Sequence, residues 1–264
     1  MSVPRGAWRG PVTVLAAICA TGWLLLLPGE RWLLLPGYCA ASAGFIAAGL
    51  GGMQSALLLN SAGGVFGAWL LMLAAMMPPL LLAPLLYLRE RSFAVRRARA
   101  AALFLLGYAL VWSAAGLFIL AAAVGLHAFA RGVPLLPAAA SVAVALAWHA
   151  SPARQHCLNR CHDLPALPAF GPAADVGALL FGFRHGAACV GGCWAAMIVP
   201  LSLGAGHLPA MLAVAVLLAA ERVERARQPR WELHWPRRGL TEWYRLLRTE
   251  TGAALHARLK RRAA

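Results

Sequence analysis

Six apolar runs, separated by short polar or arginine-rich connections, constrain the fold of this 264-residue chain more than any other feature. A transmembrane helix needs about 20 predominantly apolar residues, and the longer runs exceed that length. Only 12% of the residues are charged, whereas soluble domains carry about a quarter. The pattern predicts an all-α fold, a polytopic transmembrane helix bundle. The runs cover residues 12–27, 66–88, 101–129, 133–148, 176–201 and 208–220.

The formal net charge of +15 comes from arginines in the connections and near the C-terminus. The connection 89–100 is especially rich in arginine, so the positive-inside rule places it in the cytoplasm. Successive spans place the connections alternately inside and outside the cell. About six spans therefore leave both chain ends in the cytoplasm, provided that the Gly- and Ala-rich segment 38–60 stays at the outer face. If that segment also crosses, there are seven spans. This placement of the charge excludes a nucleic-acid-binding surface.

The chain divides into three predicted regions. Residues 1–64 form an N-terminal membrane anchor plus an interfacial or re-entrant segment at the outer face. We expect the anchor to remain uncleaved because no small-x-small site followed by a polar mature start is evident after it. Residues 65–222 form the membrane core, and residues 223–264 form a basic amphipathic cytoplasmic tail on anionic lipid. The predicted location is the bacterial inner (cell) membrane, with multiple passes.

Four of the six cysteines form two pairs with the same spacing. Cys157 and Cys161 lie in a predicted cytoplasmic loop, flanked by His156 and His162. Cytoplasmic thiols stay reduced, so this pair suits a metal-binding or redox role better than a structural disulfide. Thiolates beside imidazoles are ligands for copper or zinc. These four residues are therefore predicted to receive or release metal at the cytoplasmic face.

The second pair, Cys189 and Cys193, lies within a predicted span together with His185. Their spacing of four residues puts all three on one side of a helix. The two thiols are about 6 Å apart along the axis, close enough to bind one ion. A histidine within a span is costly and usually functional, although buried cysteine also serves as packing. With the soft thioether of Met76, these residues form the predicted intramembrane metal site.

Local patterns in the spans predict helix geometry. Pro78-Pro79 is expected to kink its helix, and Gly182-x3-Gly186 to let a neighbouring helix approach closely. Arg184, placed inside a span, is expected to reach the interface or to pair with Glu221 or Asp175.

Five motifs occur in a characteristic order between residues 65 and 222. They are Trp69-x2-Met72-x2-Ala75-Met76-Met77-Pro78, Gly107-Tyr108-x2-Val111-Trp112, Ser151-Pro152-Ala153-Arg154-x2-Cys157-x3-Cys161, Arg184-His185-Gly186-x2-Cys189-x-Gly191-Gly192-Cys193-Trp194-x2-Met197 and Glu221-Arg222. On these motifs the chain resembles a bacterial family of predicted metal-binding integral membrane proteins, a domain of unknown function. The resemblance implies a membrane protein that handles metal.

The chain departs from that family at three places. Gly192 stands where the family usually has the first of two cysteines before the tryptophan, and Trp148-His149 replaces a tyrosine-glutamine pair. A charged tail follows Glu221, where a further apolar helix often follows in the family. The missing thiol bears directly on the number of ligands at the buried site.

The leading hypothesis is a membrane protein that binds a soft transition metal, copper favoured and zinc possible, for transport or delivery to a metalloprotein. Its expected partners are the lipid bilayer and a metalloprotein or metallochaperone, with no nucleic acid. The alternatives are a membrane thiol-redox protein that uses both cysteine pairs and a structural membrane subunit. The chain contains no phosphate-binding loop of the G-x4-G-K-[ST] type and no paired carboxylates, which favours a non-enzymatic role.

Overall fold

In this computed structural model, residues 9–26, 62–130, 133, 135–203, 206–242 and 244–245 are described. They form helices and connections without any strand in the described part, so the predicted all-α class is confirmed. The segment 38–60, whose crossing decides between six and seven spans, lies outside the described residues. The helices are α1 (Arg9–Leu26), α2 (Ala62–Met76), α3 (Pro78–Arg91), α4 (Arg97–Phe129), α5 (Leu136–His149), α6 (Pro152–Arg160), α7 (Gly171–Ser202) and α8 (His207–Glu221).

Each of the six apolar runs contains helix among its described residues, but helix length does not support six spans. Within the described residues, two helical stretches are long and apolar enough to cross a membrane, Ala94–Phe129 and Gly171–Ser202. The bent pair α2–α3 adds a third if it counts as one span. The apolar parts of α1, α5 and α8 are shorter. A helix of 15 residues rises only about 22 Å, which is less than the hydrocarbon thickness of about 30 Å.

The double proline bends the chain between α2 and α3. The two helices meet at an angle of 69° around Met77. Pro78 and Pro79 occupy the first positions of α3, where their missing N–H groups interrupt the hydrogen-bond ladder from α2. The predicted kink is therefore confirmed.

Helices α4 and α7 pack against each other through glycines. A Cβ atom at Gly182 would overlap the carbonyl oxygen of Phe104, and one at Gly107 would lie 2.5 Å from the carbonyl oxygen of Leu179. Only hydrogen fits at these positions, which confirms the predicted close approach at Gly182. In α7, 67% of the most apolar stretch is buried, against 28% in α4, so α7 is the central helix of the bundle.

The inward face of α4 carries an aromatic row spaced by four residues. Phe104, Tyr108 and Trp112 are all buried. The ring of His185 on α7 lies 5.9 Å from the ring of Phe104 and 6.1 Å from the ring of Tyr108, measured between centroids. This row fixes the side of α7 that carries the sulfur ligands predicted from the sequence.

The first part of the predicted tail packs back onto the bundle. The backbone N–H of Glu232 donates to the carbonyl of Ala150 at 3.0 Å. The Glu224 carboxylate accepts from the backbone N–H groups of Arg238 and Gly239 at 3.0 and 3.2 Å. This stretch therefore contacts the helical core, while the lipid-bound role of residues 223–264 stays a prediction.

Candidate metal centre

The site residues predicted on α7 are buried, together with the methionine one turn further along the helix. His185, Cys189, Cys193 and Met197 face the interior, with at most 3% of each residue exposed. The Cys189 Sγ lies 3.4 Å from the hydroxyl oxygen of Tyr108, and the Cys193 thiol donates to the carbonyl oxygen of Cys189 at 2.9 Å. The shared face deduced from the four-residue spacing is thus confirmed.

The other cysteine pair lies on a short helix that packs against α7. Ser151 caps the start of α6 by accepting from the backbone N–H of Arg154 at 3.2 Å. Cys157 lies within α6 and Cys161 at its C-terminal end. The Sγ of Cys157 would be only 2.5 Å from a Cβ atom placed on Gly191 of α7. The two cysteine pairs, separate in the sequence, are therefore neighbours.

The guanidinium of Arg222 lies among three of these thiols. Its Nη2 donates to the Sγ of Cys189 at 3.1 Å. It is also close enough to Cys161 and Cys193 to interact electrostatically with both thiols. Its buried Nη1 has no hydrogen-bond partner within the described residues. We refer to Cys161, Cys189 and Cys193 as the thiol cluster.

The thiols on α6 carry protons at neutral pH. Burial raises the pKa of Cys161 to about 12, although the nearby Arg222 acts in the opposite direction. Burial also raises the pKa of Cys157, against the lowering effect of Arg160. A metal ion that binds either sulfur must therefore release a proton.

A buried ion pair holds α6 against α7 and α8. The Arg154 guanidinium donates through Nη2 to the Glu221 carboxylate and through Nε to the carbonyl oxygen of Gly192 at 3.0 Å. The Nε2 of His149 lies 3.4 Å from the other carboxylate oxygen. The side chains of Arg154 and Glu221 are only 7% and 5% exposed. Because Glu221 precedes Arg222, this pair also fixes the position of the guanidinium among the thiols.

A cleft of about 630 Å³ opens beside the cluster. Its wall includes Cys157, Arg160, Asp163, Phe181, Arg184 and His185. The Nε2 of His185 is buried and has no hydrogen-bond partner within the described part of the chain.

The predicted partners of Arg184 are wrong. Asp175 pairs with Arg96 at 2.5 Å and with Arg99 at 2.7 Å. Glu221 pairs with Arg154. Since both carboxylates are neutralised by other cations, Arg184 instead extends its side chain along the exposed wall of the cleft.

The remaining predicted ligands lie at different distances from the cluster. His162 is close enough to Arg222 and His185 to interact with them electrostatically. His156 is exposed on α6. Met76 is buried in the core, but no hydrogen bond or ring contact among the described residues joins it to the thiols. Their roles as ligands stay predictions.

The described residues contain no group of three or more His, Cys, Asp or Glu side chains placed to hold a single metal ion. The three thiols surround a guanidinium instead of converging on one point. A metal ion at this site would therefore have to displace Arg222.

Sequence reasoning missed four residues that build the site. Tyr108, Arg154, Glu221 and Arg222 were noted only as parts of the motifs or, for Glu221, as a partner of another arginine. What marks these residues in the sequence is their position in the motifs, because each of them stands in a stretch that carries the family resemblance. Which of them meet in space depends on long-range packing, which the motifs do not encode.

Comparison with known families identifies the chain through the region that holds the site. The family model PpoB2, described as a copper chaperone, matches residues 66–234. No curated protein and no solved structure matches the chain. The match supports a role in handling copper, and no finding supports zinc. Because it covers more than half of the 264 residues and includes the whole thiol cluster, the chain belongs to the PpoB2 copper chaperone family.

Proposed function

We propose that this protein binds Cu(I) at the thiol cluster and delivers it to a copper-requiring protein. One observation carries the proposal: thiols from α6 and α7 meet around the positive charge of Arg222. Soft sulfur ligands select Cu(I) over harder cations. The family match supports the same metal and the delivery role.

The charges at the site suit a monovalent soft ion. Two thiolates of the cluster and one Cu(I) ion carry a net charge of −1 when the third sulfur keeps its proton, and a guanidinium displaced only a short distance can balance that charge. The buried site would otherwise hold an uncompensated charge, which is costly. Arg222 therefore has two roles in the proposal: it lies between the thiols before copper binds, and it neutralises the copper–thiolate group afterwards.

We also propose that the protein is embedded in the bacterial inner membrane. The length of α4 and α7 supports this setting. So does the outer face of α4, where Leu106, Leu117 and Phe118 are at least half exposed. Crossing by the shorter α1, α5 and α8 requires local thinning of the bilayer. The proposed arrangement keeps six spans with both ends cytoplasmic, and reporter fusions after residues 92, 132, 165 and 240 test it: all except the second should report a cytoplasmic position.

A Cu(I) competition titration with a chromophoric chelator, on detergent-purified protein under anaerobic conditions, tests the function. Single serine variants of Cys161, Cys189 and Cys193 should each weaken Cu(I) binding by at least about tenfold, equivalent to about 1.4 kcal/mol. Cys19→Ser is the matched control, because the Cys19 thiol donates to the carbonyl of Ala75 on α2 and not to the cluster. Unchanged affinity in all three cluster variants would sink the proposal.

The same variants separate the two alternatives. A thiol-redox protein with one cysteine of a pair removed should trap a mixed disulfide with its partner. A structural subunit should lose only thermal stability. Copper delivery is supported if Cu(I) affinity falls and no mixed disulfide accumulates.

A further inference from the structure

We propose that the cleft beside the cluster docks a small anionic thiol that carries Cu(I), and that Cys157 is the first sulfur to receive the metal. This inference rests on the proposed function and names the form in which the cargo arrives. Four features of the cleft support it: its size, its charge, an unpaired buried imidazole and a thiol on its wall.

The size of the cleft fits a small peptide or metabolite. Its volume of about 630 Å³ lies within the range of about 300–1,000 Å³ that is usual for small-molecule sites. The wall is partly apolar, with Phe181 and Leu164 beside the charged groups. A bare metal ion needs no cavity of this size, so the cleft suits an ion that arrives with its ligand.

The charges on the wall of the cleft favour an anionic ligand that also carries an ammonium group. Among the described residues that line the cleft, Arg160 and Arg184 are accompanied by one carboxylate, that of Asp163. Arginine binds carboxylates through paired, parallel hydrogen bonds. Asp163 offers a complementary position for an ammonium group. A thiol peptide with two carboxylates and one ammonium group would match all three side chains.

His185 supplies a polar group that needs a partner. Only 3% of the residue is exposed, yet its Nε2 has no hydrogen-bond partner among the described residues. A buried polar atom left unpaired is costly. His185 forms part of the wall of the cleft, so a ligand group that enters past the wall would give this buried nitrogen the hydrogen-bond partner it lacks.

Cys157 connects the cleft with the thiol cluster. Its side chain lines the cleft, packs on Gly191 of α7 and is close enough to Cys161 to interact electrostatically. In the transfer step, the Cys157 sulfur forms a bond to Cu(I) while one carrier sulfur–copper bond breaks. The Cys157 proton goes to the departing carrier thiolate, which leaves as a thiol. Copper stays Cu(I), so the step needs no oxidant or reductant.

Stopped-flow transfer of Cu(I) into the full-length protein tests the inference. One donor is the Cu(I) complex of reduced glutathione, a tripeptide thiol with two carboxylates and one ammonium group. The other is the Cu(I)–acetonitrile complex, which carries no carboxylate. The test variant is Arg160→Gln/Arg184→Gln. The matched control is Arg91→Gln/Arg230→Gln, which removes two exposed arginines outside the cleft.

We expect the test variant to lower the apparent affinity for the glutathione complex by about tenfold or more, because each charge-assisted hydrogen bond is individually strong. Transfer from the acetonitrile complex should change much less, because Arg160 then acts only through its effect on Cys157, and the control should match the wild type with both donors. Cys157→Ser should slow glutathione-dependent transfer while the final copper stoichiometry stays the same.

Two results would overturn the inference. One is transfer from the glutathione complex that does not depend on Arg160 and Arg184. The other is arginine-dependent binding of phosphatidylglycerol in nanodiscs with glutathione transfer unchanged, which would assign the cleft to a lipid headgroup. Failure of the proposed function is distinguishable, because the wild type would then bind no copper from either donor.

Discussion

Replacing Glu221 with glutamine removes the negative charge beside Arg154 but keeps the size of the side chain and one hydrogen-bonding oxygen. Both partners are almost fully buried, with side-chain exposures of 5% and 7%. Removing one partner of a buried ion pair costs about 3–5 kcal/mol, since the other charge stays buried without compensation. A neutral hydrogen bond from the new amide restores about 1 kcal/mol.

The expected loss for Glu221→Gln is therefore about 2–4 kcal/mol in the free energy of unfolding. For a chain of this size, that corresponds to a fall in Tm of roughly 5–15 °C. Thermal unfolding in detergent, followed by tryptophan fluorescence, measures it. Cu(I) affinity should fall as well, because Arg154 and Glu221 hold α6 and Arg222 in place around the thiol cluster.

Asp175→Asn is the matched control for the same change of charge. Asp175 pairs with Arg96 and Arg99, but its side chain is 21% exposed and those of the arginines are 26% and 70% exposed. Exposed ion pairs contribute at most about 1 kcal/mol each. A Tm shift in Asp175→Asn as large as that in Glu221→Gln, or normal Cu(I) affinity in Glu221→Gln, would refute the reasoning.

Two further predictions follow from packing and from protonation. Gly182→Ala should lower the Tm, because its Cβ would overlap the Phe104 carbonyl and overpacking costs about 1–3 kcal/mol. In α4, a Cβ atom added by Gly125→Ala would have no neighbouring atom within 4 Å, and this change should raise the free energy of unfolding by up to about 1 kcal/mol. A higher melting temperature for Gly182→Ala than for Gly125→Ala would contradict this packing. Burial raises the pKa of Cys161 to about 12, so Cu(I) must displace the proton of this thiol. The affinity for Cu(I) therefore rises with pH, by about tenfold per pH unit for that proton. In competition titrations between about pH 6 and pH 9, Cys161→Ser should therefore lower the slope of log affinity against pH by about one, and an unchanged slope would contradict it.

The sequence predicted the arrangement of side chains correctly where the residues concerned lie within one helix. The four-residue spacing of His185, Cys189 and Cys193 predicts a common face because the helical period fixes it, and all three are buried together. The kink at Pro78-Pro79 and the close approach at Gly182 follow from equally local steric rules. Apolar runs also located the helices, including the three whose apolar parts are short for a bilayer.

The meeting of the two cysteine pairs could not be predicted in the same way. It depends on Arg154, which joins α6 to the end of α8 across 67 residues of sequence. Four arginines (Arg96, Arg99, Arg154 and Arg184) were available to the carboxylates of Asp175 and Glu221, and no local rule decides which pairs form. The position of Arg222 is likewise a product of tertiary packing, so its place among the thiols became visible only in the fold.

Copper content by mass spectrometry on detergent-purified protein tests the central claim most directly. Wild type, Cys189→Ser/Cys193→Ser and the Cys19→Ser control would be loaded anaerobically with Cu(I), stripped of loosely bound metal and measured side by side. We predict near-stoichiometric copper in the wild type and the control, and its loss in the double variant. A wild type that retains no copper, or a double variant that retains as much as the control, would contradict a copper site built from the thiol cluster.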